Sequence, residues 1–175
     1  VGSEMCIRDR FVSLGPCDNR DSWDHKWPEM MHYFRNNSEM INLLTEYSGV
    51  KDLPPLYLDT TELHINRAES TVDTNKYYEN TYFSVISETT YFTQEWYHSA
   101  RFLSEKAFKA IAMKHPFILV SVPNSLEIYK IMGYKTFSPL IDESYDAELD
   151  DGKRMLMILN EIERLSNLNS DELTN

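Results

Sequence analysis

The chain of 175 residues is 42% hydrophobic and 26% charged, with 3 Trp, 11 Tyr and 8 Phe, which supplies a core and argues against a mainly disordered chain. Its length predicts one domain or slightly more, and no window approaches the roughly 18 consecutive apolar residues of a membrane span. The net charge of −11 argues against general binding to nucleic acid or anionic membranes, and 5 Gly and 2 Cys argue against a glycine-rich phosphate loop or a disulfide scaffold.

Residues 1–9, Val-Gly-Ser-Glu-Met-Cys-Ile-Arg-Asp, resemble a translated sequencing adapter of the kind found at the start of metagenome-derived reading frames. They lack the basic, apolar and small-residue layout of a signal peptide, so residues 1–10 are expected to stand outside the fold. Cys17 is then the remaining cysteine, which predicts a reducing compartment, the cytoplasm or a host's cytoplasm. Phe11–Leu14 reads as a short strand. Helical spacing runs over 27–48, with Pro28 at a first position and a break at Asn36-Asn37-Ser38, where Ser38 is expected to cap a second helix. From Pro54-Pro55 to about residue 76 the chain reads as extended connection, so 11–80 is a partly helical, incomplete segment.

From residue 81 the pattern becomes regular. Thr81–Ser87 is aromatic and β-branched, the composition of a strand. A loop with Tyr91, Phe92, Trp96 and Tyr97 follows, then a helix over 105–115 capped by Ser104, with Ala107, Phe108, Ile111 and Ala112 facing inward. Pro116–Val122 is the near-continuous apolar run of a strand buried on both faces. Pro123-Asn124-Ser125 reads as turn and cap, Leu126–Met132 as a short helix ended by Gly133, and Tyr134–Phe137 as a third strand. Gly152–Leu168 carries Met155, Leu156, Ile158, Leu159, Ile162 and Leu165 at helical core spacing. Ser170–Leu173 reads as the first turn of a helix, capped by Asn169 or Ser170, that the chain does not continue, which makes 169–175 a truncated tail; the alternative is a frayed polar end. The order β-α-β-α-β-α over 81–168 predicts an α/β Rossmann-like half domain. It would be a three-layer parallel sheet with flanking helices, preceded by the partly helical segment.

Ligands of such sheets lie beyond the carboxyl ends of the strands, where the helix N-termini favour phosphate. Residues 101–139 hold six bases against Glu105 and Glu127, a local +4 within a chain that is −15 elsewhere. Lys106 stands in a first helical turn, where a cation opposes the dipole at a cost of a few tenths of a kcal/mol, roughly, which an anionic ligand would offset. The competing reading puts Lys106 and Lys109 on a solvated helix face with a Glu105–Lys109 pair. The six carboxylates of Asp142–Asp151 do not fit a calcium loop and read as a solvated loop with an acidic helix start, although Asp142 and Glu143 directly follow the third strand. The five histidines have no zinc spacing, and His115 reads as the cap of a helix end. No metal or bound cofactor is expected.

Phe102–Lys109, His115–Val120, Gly133–Phe137 and Ile141–Asp146 resemble the carboxyl-terminal half of a group of largely uncharacterised viral and bacterial proteins. That half is similar to the nucleotide-sugar-binding domain of two-domain GT-B glycosyltransferases, fucosyltransferases above all. The resemblance covers about residues 81–165. It implies a nucleoside-diphosphate sugar as donor substrate, a Ser-Glu-Lys helix start at Ser104, Glu105 and Lys106, the Lys near the diphosphate and the Glu near ribose or sugar. Together with strand-end position and charge it sets the candidate site: Ser104, Glu105, Lys106, Lys109, Glu88, Asn124 and Ser125, with Glu88 on the sugar and the helix starts at Ser104 and Ser125 on phosphate. The acceptor is an unidentified glycan or other hydroxyl, and the catalytic base of such enzymes lies in a domain that 11–80 cannot hold. The alternative is a non-catalytic α/β interaction module.

Overall fold

The computed structural model describes residues 4–6, 28, 31–48, 78–88, 90–93 and 103–169. The expected strand at 11–14, the connection at 54–76, Cys17, Trp96, Tyr97 and the tail at 170–173 lie outside the described residues.

The chain builds a mixed α/β fold on a small sheet of order β1-β2-β3. Strand β2 (Ser84–Ser87) runs parallel to β3 (Phe117–Val120), in register from Ser84 opposite Phe117 to Ser87 opposite Val120. Both tetrapeptides are buried except at their last residue, as sheet strands covered on two faces require. Strand β1 (Glu4–Cys6) pairs antiparallel with the other edge of β2, Met5 opposite Val85. These residues were expected to stand outside the fold; an open β2 edge carries unpaired N–H and C=O groups that any extended segment can satisfy.

The expected third parallel strand at Tyr134–Phe137 does not form. Its backbone groups are engaged locally: Tyr134 N–H bonds Tyr129 O (2.9 Å), and Phe137 O accepts from Ile141 N–H (3.1 Å). Phe137 N–H donates to Glu143 Oε1 at 2.7 Å. On the facing edge of β3, Leu119 N–H is taken by the Tyr145 hydroxyl at 3.0 Å. Phe137 still packs edge-on against Phe117, with ring centroids 5.3 Å apart, so the segment covers the sheet without extending it. Among the described residues the three-layer parallel sheet anticipated from sequence is therefore represented by one parallel pair with helices around it.

Helix α1 (Ser38–Glu46) is capped by Asn37, whose side chain accepts from Met40 N–H, one residue earlier than expected. Helix α2 (Glu105–Ala112) follows Ser104, whose hydroxyl accepts from Lys106 N–H, and it buries Ala107 and Ala110. Phe108 and Ile111 are half-buried and Ala112 is exposed, so the inward face is rotated toward Ala110 relative to the expected one. Helix α3 (Ser125–Ile131) ends at Gly133, whose φ of +91° is left-handed and suited to glycine. Helix α2 ends the same way on Lys114 (φ +54°), with His115 N–H reaching back to Ala110 O. A 3₁₀ turn over Glu143–Ala147 precedes helix α4 (Asp151–Ser166), capped by Asp150, which starts one residue before and ends two residues before the expected bounds.

The core gathers Ile86 from β2, Ile118 and Leu119 from β3, Ala107 from α2, Leu126 and Tyr129 from α3, Ile141 and Tyr145 from the connecting segment, and Ile158 and Leu165 from α4. Each fully buried Leu or Ile side chain contributes about 1.5–3 kcal/mol. Of the expected α4 core set, Leu159 is exposed, while Arg154 and Glu161 are buried. The start of α4 also closes on α1: a Cβ on Gly152 would stand 2.7 Å from that of Asn37, so the close approach of the cap residue requires glycine.

Candidate functional site

Three of the expected site residues are linked in one chain of contacts at the carboxyl end of β2. Glu88 follows the strand, and its N–H donates to Val120 O at 3.0 Å, extending the pairing with β3. Its side chain is buried, and Oε1 accepts from Ser104 N–H at 3.1 Å. Ser104 in turn accepts from Lys106 N–H through its hydroxyl at 3.3 Å. Strand end, loop end and first helical turn are thereby tied together. The second Glu88 oxygen has no donor among the described residues, and neither the Thr90 nor the Tyr129 hydroxyl has a partner there. Burial and the Glu88 charge push the Tyr129 phenol above its ordinary range.

Glu105 and Lys106 occupy the same turn with opposite environments. The Lys106 side chain is 16% exposed, that of Glu105 is 86% exposed, and the ammonium–carboxylate distance is 4.0 Å. Coulomb energy at that separation is weak in water and stronger where solvent is excluded. Lys106 is thus a largely covered cation whose carboxylate partner sits out in solvent. Lys109 lies instead over the Tyr78 ring, 5.6 Å from its centroid. The Glu105–Lys109 pair of the competing reading is not among the ion pairs of the described residues, and the Tyr78 ring under Lys109 meets that of His115 edge-on. His115 is buried there, its ring nitrogen 3.4 Å from the Thr81 hydroxyl, and burial lowers its pKa.

Asn124 and Ser125 behave differently from the expectation. Asn124 is left-handed (φ +61°) and makes no side-chain cap bond. Ser125 is fully buried, donates to Val122 O at 2.7 Å and lies 3.0 Å from the Ser121 hydroxyl. The start of α3 is closed by the protein's own carboxylate: both oxygens of Asp146 accept from Leu126 N–H at 3.1 Å, and Asp146 O accepts from Asn124 N–H at 2.6 Å. An internal anion thus stands where phosphate was expected, because it satisfies the same N–H groups and dipole. Burial raises the Asp146 pKa despite these hydrogen bonds.

The remaining acids of 142–151 are likewise engaged rather than simply solvated. Asp142 caps the 3₁₀ turn through Ser144 N–H, which lowers its pKa. Glu143 takes the Thr136 hydroxyl and Phe137 N–H, each at 2.7 Å, and pairs with Lys130 at 3.2 Å. Asp151 accepts from Thr93 N–H (3.1 Å) and from Arg154 (2.6 Å). No periodic pattern announces these pairings, which range from the neighbouring Asp142–Ser144 contact to the distant Thr93–Asp151 one. Arg154, only 1% exposed, lies 4.4 Å from the Tyr91 ring centroid and donates to Tyr91 O, Glu148 O and Asp151.

A separate cleft of about 250 Å³ lies between the 3₁₀ turn and α4, lined by Asp142, Tyr145, Met157, Glu161 and Arg164 among others. It contains none of the sequence-predicted site residues, and its Arg164 is already bonded to Glu161 and Leu140 O. Among the described residues no group of three or more His, Cys, Asp or Glu is placed to hold a metal ion, and no helix is long and apolar enough to cross a membrane.

The class of protein that this geometry defines is a small α/β unit with a parallel strand pair and flanking helices. No protein-family model, curated protein or solved structure matches the chain.

Proposed function

We propose that the chain is the donor-binding part of a glycosyltransferase, a Rossmann-like unit that takes a nucleoside-diphosphate sugar at the carboxyl end of β2 and the start of α2. The observation that carries this reading is Lys106, whose side chain is 16% exposed and whose carboxylate neighbour stands 4.0 Å away in solvent. A covered ammonium in a first helical turn gains from an anion that approaches it more closely than Glu105 does. In the transfer an acceptor oxygen attacks the anomeric carbon while the bond from that carbon to the diphosphate oxygen breaks. Negative charge then grows on the leaving diphosphate, and Lys106 stabilises it electrostatically. The acceptor's proton leaves to a base that this chain is not assigned. Glu105, exposed on the same turn, is free to accept hydrogen bonds from ribose or sugar hydroxyls.

The closed start of α3 narrows the proposal: with Asp146 on Leu126 N–H, the diphosphate is assigned to Lys106 and not to Asn124 and Ser125. The same closure favours a second reading, a non-catalytic α/β module acting through protein contacts. Calorimetric titration of nucleoside diphosphates into wild type and Lys106→Ala separates the two. Binding by wild type that falls about 10- to 100-fold in the variant, the loss of one charge-assisted hydrogen bond, supports the donor site. Absence of binding, or equal binding by both proteins, removes it.

A further inference from the structure

We infer that Glu88 is a positioning residue, which holds the first turn of α2 in place and so sets where Lys106 presents its charge, without itself touching the ligand. The inference rests on the reading of Lys106 as the anion-binding group and names what orients it. Glu88 is anchored twice, by its own N–H on Val120 O (3.0 Å) and by Oε1 on Ser104 N–H (3.1 Å). Ser104 is itself buried, and through its hydroxyl it holds Lys106 N–H at 3.3 Å. A displacement at Glu88 is therefore transmitted to Lys106 through two hydrogen bonds.

Glu88 occupies the role that a bound anion fills at other helix starts. It takes up the orphan N–H of Ser104 at the α2 terminus, so that N–H is not what a ligand meets. Its second oxygen is closed off from solvent, like the hydroxyls of Thr90, two residues on, and Tyr129. A direct contact with a sugar, expected from strand-end position, is not available to an atom so covered. A glutamine at 88 retains the acceptor that Ser104 N–H needs. Its N–H₂ group takes the place of the oxygen that has no donor among the described residues. Glutamine is therefore expected to replace Glu88 in this role.

The test combines amide hydrogen exchange at Ser104 and Lys106 with equilibrium binding of inorganic pyrophosphate, in wild type, Glu88→Gln and Glu88→Ala. In Glu88→Gln the exchange and the affinity are expected to stay within about threefold of wild type; in Glu88→Ala both amides exchange about tenfold faster and pyrophosphate binds about tenfold more weakly, the size of one hydrogen bond. If Glu88→Ala does not fold, Glu88→Asp takes its place, since it keeps the charge and loses the reach. Glutamine behaving like alanine or aspartate in either measurement overturns the inference, as does wild-type exchange in Glu88→Ala or in the Glu88→Asp that replaces it. If wild type fails to bind pyrophosphate, the donor-site reading falls, and the exchange comparison alone decides whether Glu88 positions the turn.

Discussion

Replacing Arg154 by methionine perturbs the contact that joins the residues after β2 to the start of α4. The guanidinium is 1% exposed and donates to Glu148 O at 2.9 Å, to Tyr91 O at 2.7 Å and to Asp151 Oδ1 at 2.6 Å. Hydrogen bonds from a charged group contribute about 1.5–3 kcal/mol each, and removing one partner of a buried pair costs about 3–5 kcal/mol because the other charge is left uncompensated. Two features set the expectation at the lower end. The Nε–H has no acceptor among the described residues, an unfavourable burial that methionine removes. Asp151 keeps its bonds from Thr93 N–H (3.1 Å) and the Thr93 hydroxyl (3.1 Å), so it is not stranded. A loss of about 3 kcal/mol corresponds to a fall in Tm of about 6–12 °C for a chain of this size. Thermal and urea denaturation followed by circular dichroism read it, and a double-mutant cycle with Asp151→Asn is expected to give a coupling of at least about 1 kcal/mol. A loss under about 1 kcal/mol, or equal losses with and without Asp151, would refute the clasp as a stabilising unit.

Asp146→Ala leaves Leu126 N–H without its acceptor and is expected to cost about 1–3 kcal/mol, whereas Asp146→Asn, which keeps an oxygen in place, costs less than about 1 kcal/mol at pH 7. Because burial raises the folded-state pKa of Asp146 above its unfolded value, the charged carboxylate is a penalty at neutral pH that fades as pH falls through the raised value toward the ordinary one. The urea-measured stability of wild type relative to Asp146→Asn should therefore rise on acidification over that interval; a flat difference contradicts the assignment. The two left-handed helix ends give opposite expectations: Lys114→Gly is stabilising by about 0.5–1 kcal/mol and Gly133→Ala destabilising by about 1 kcal/mol. Equal signs in chemical denaturation would show that these turns do not adopt the φ values described.

Much of the fold was legible because the determining signals are local. Ser104 before an amphipathic stretch, the apolar run at Phe117–Val120 and Gly133 after a short helix all specify elements through near neighbours. Tyr134–Phe137 misled for the opposite reason. Its aromatic and β-branched composition suits a strand, but Glu143 and Ile141 take its backbone groups first. Asn37, not Ser38, caps α1 because either residue can accept from the first turn, and only the chain's direction of approach decides. At the candidate site, Ser104 and Lys106 were legible from the helix start. The roles of Glu88 and Asp146 were not, since each depends on a partner 16 or 20 residues away. Arg154 was hidden because a buried charge interrupts an apolar period and reads as surface until its acceptors are known.

Lys106, a largely covered cation, is the group proposed to meet the donor's diphosphate. Isothermal titration of a nucleoside diphosphate against wild type and Lys106→Ala tests it most directly. Saturable binding by wild type that weakens about 10- to 100-fold in the variant, with the fold stability of both alike, is the expected result. Saturable binding of equal strength by the two proteins, or none by wild type, contradicts it.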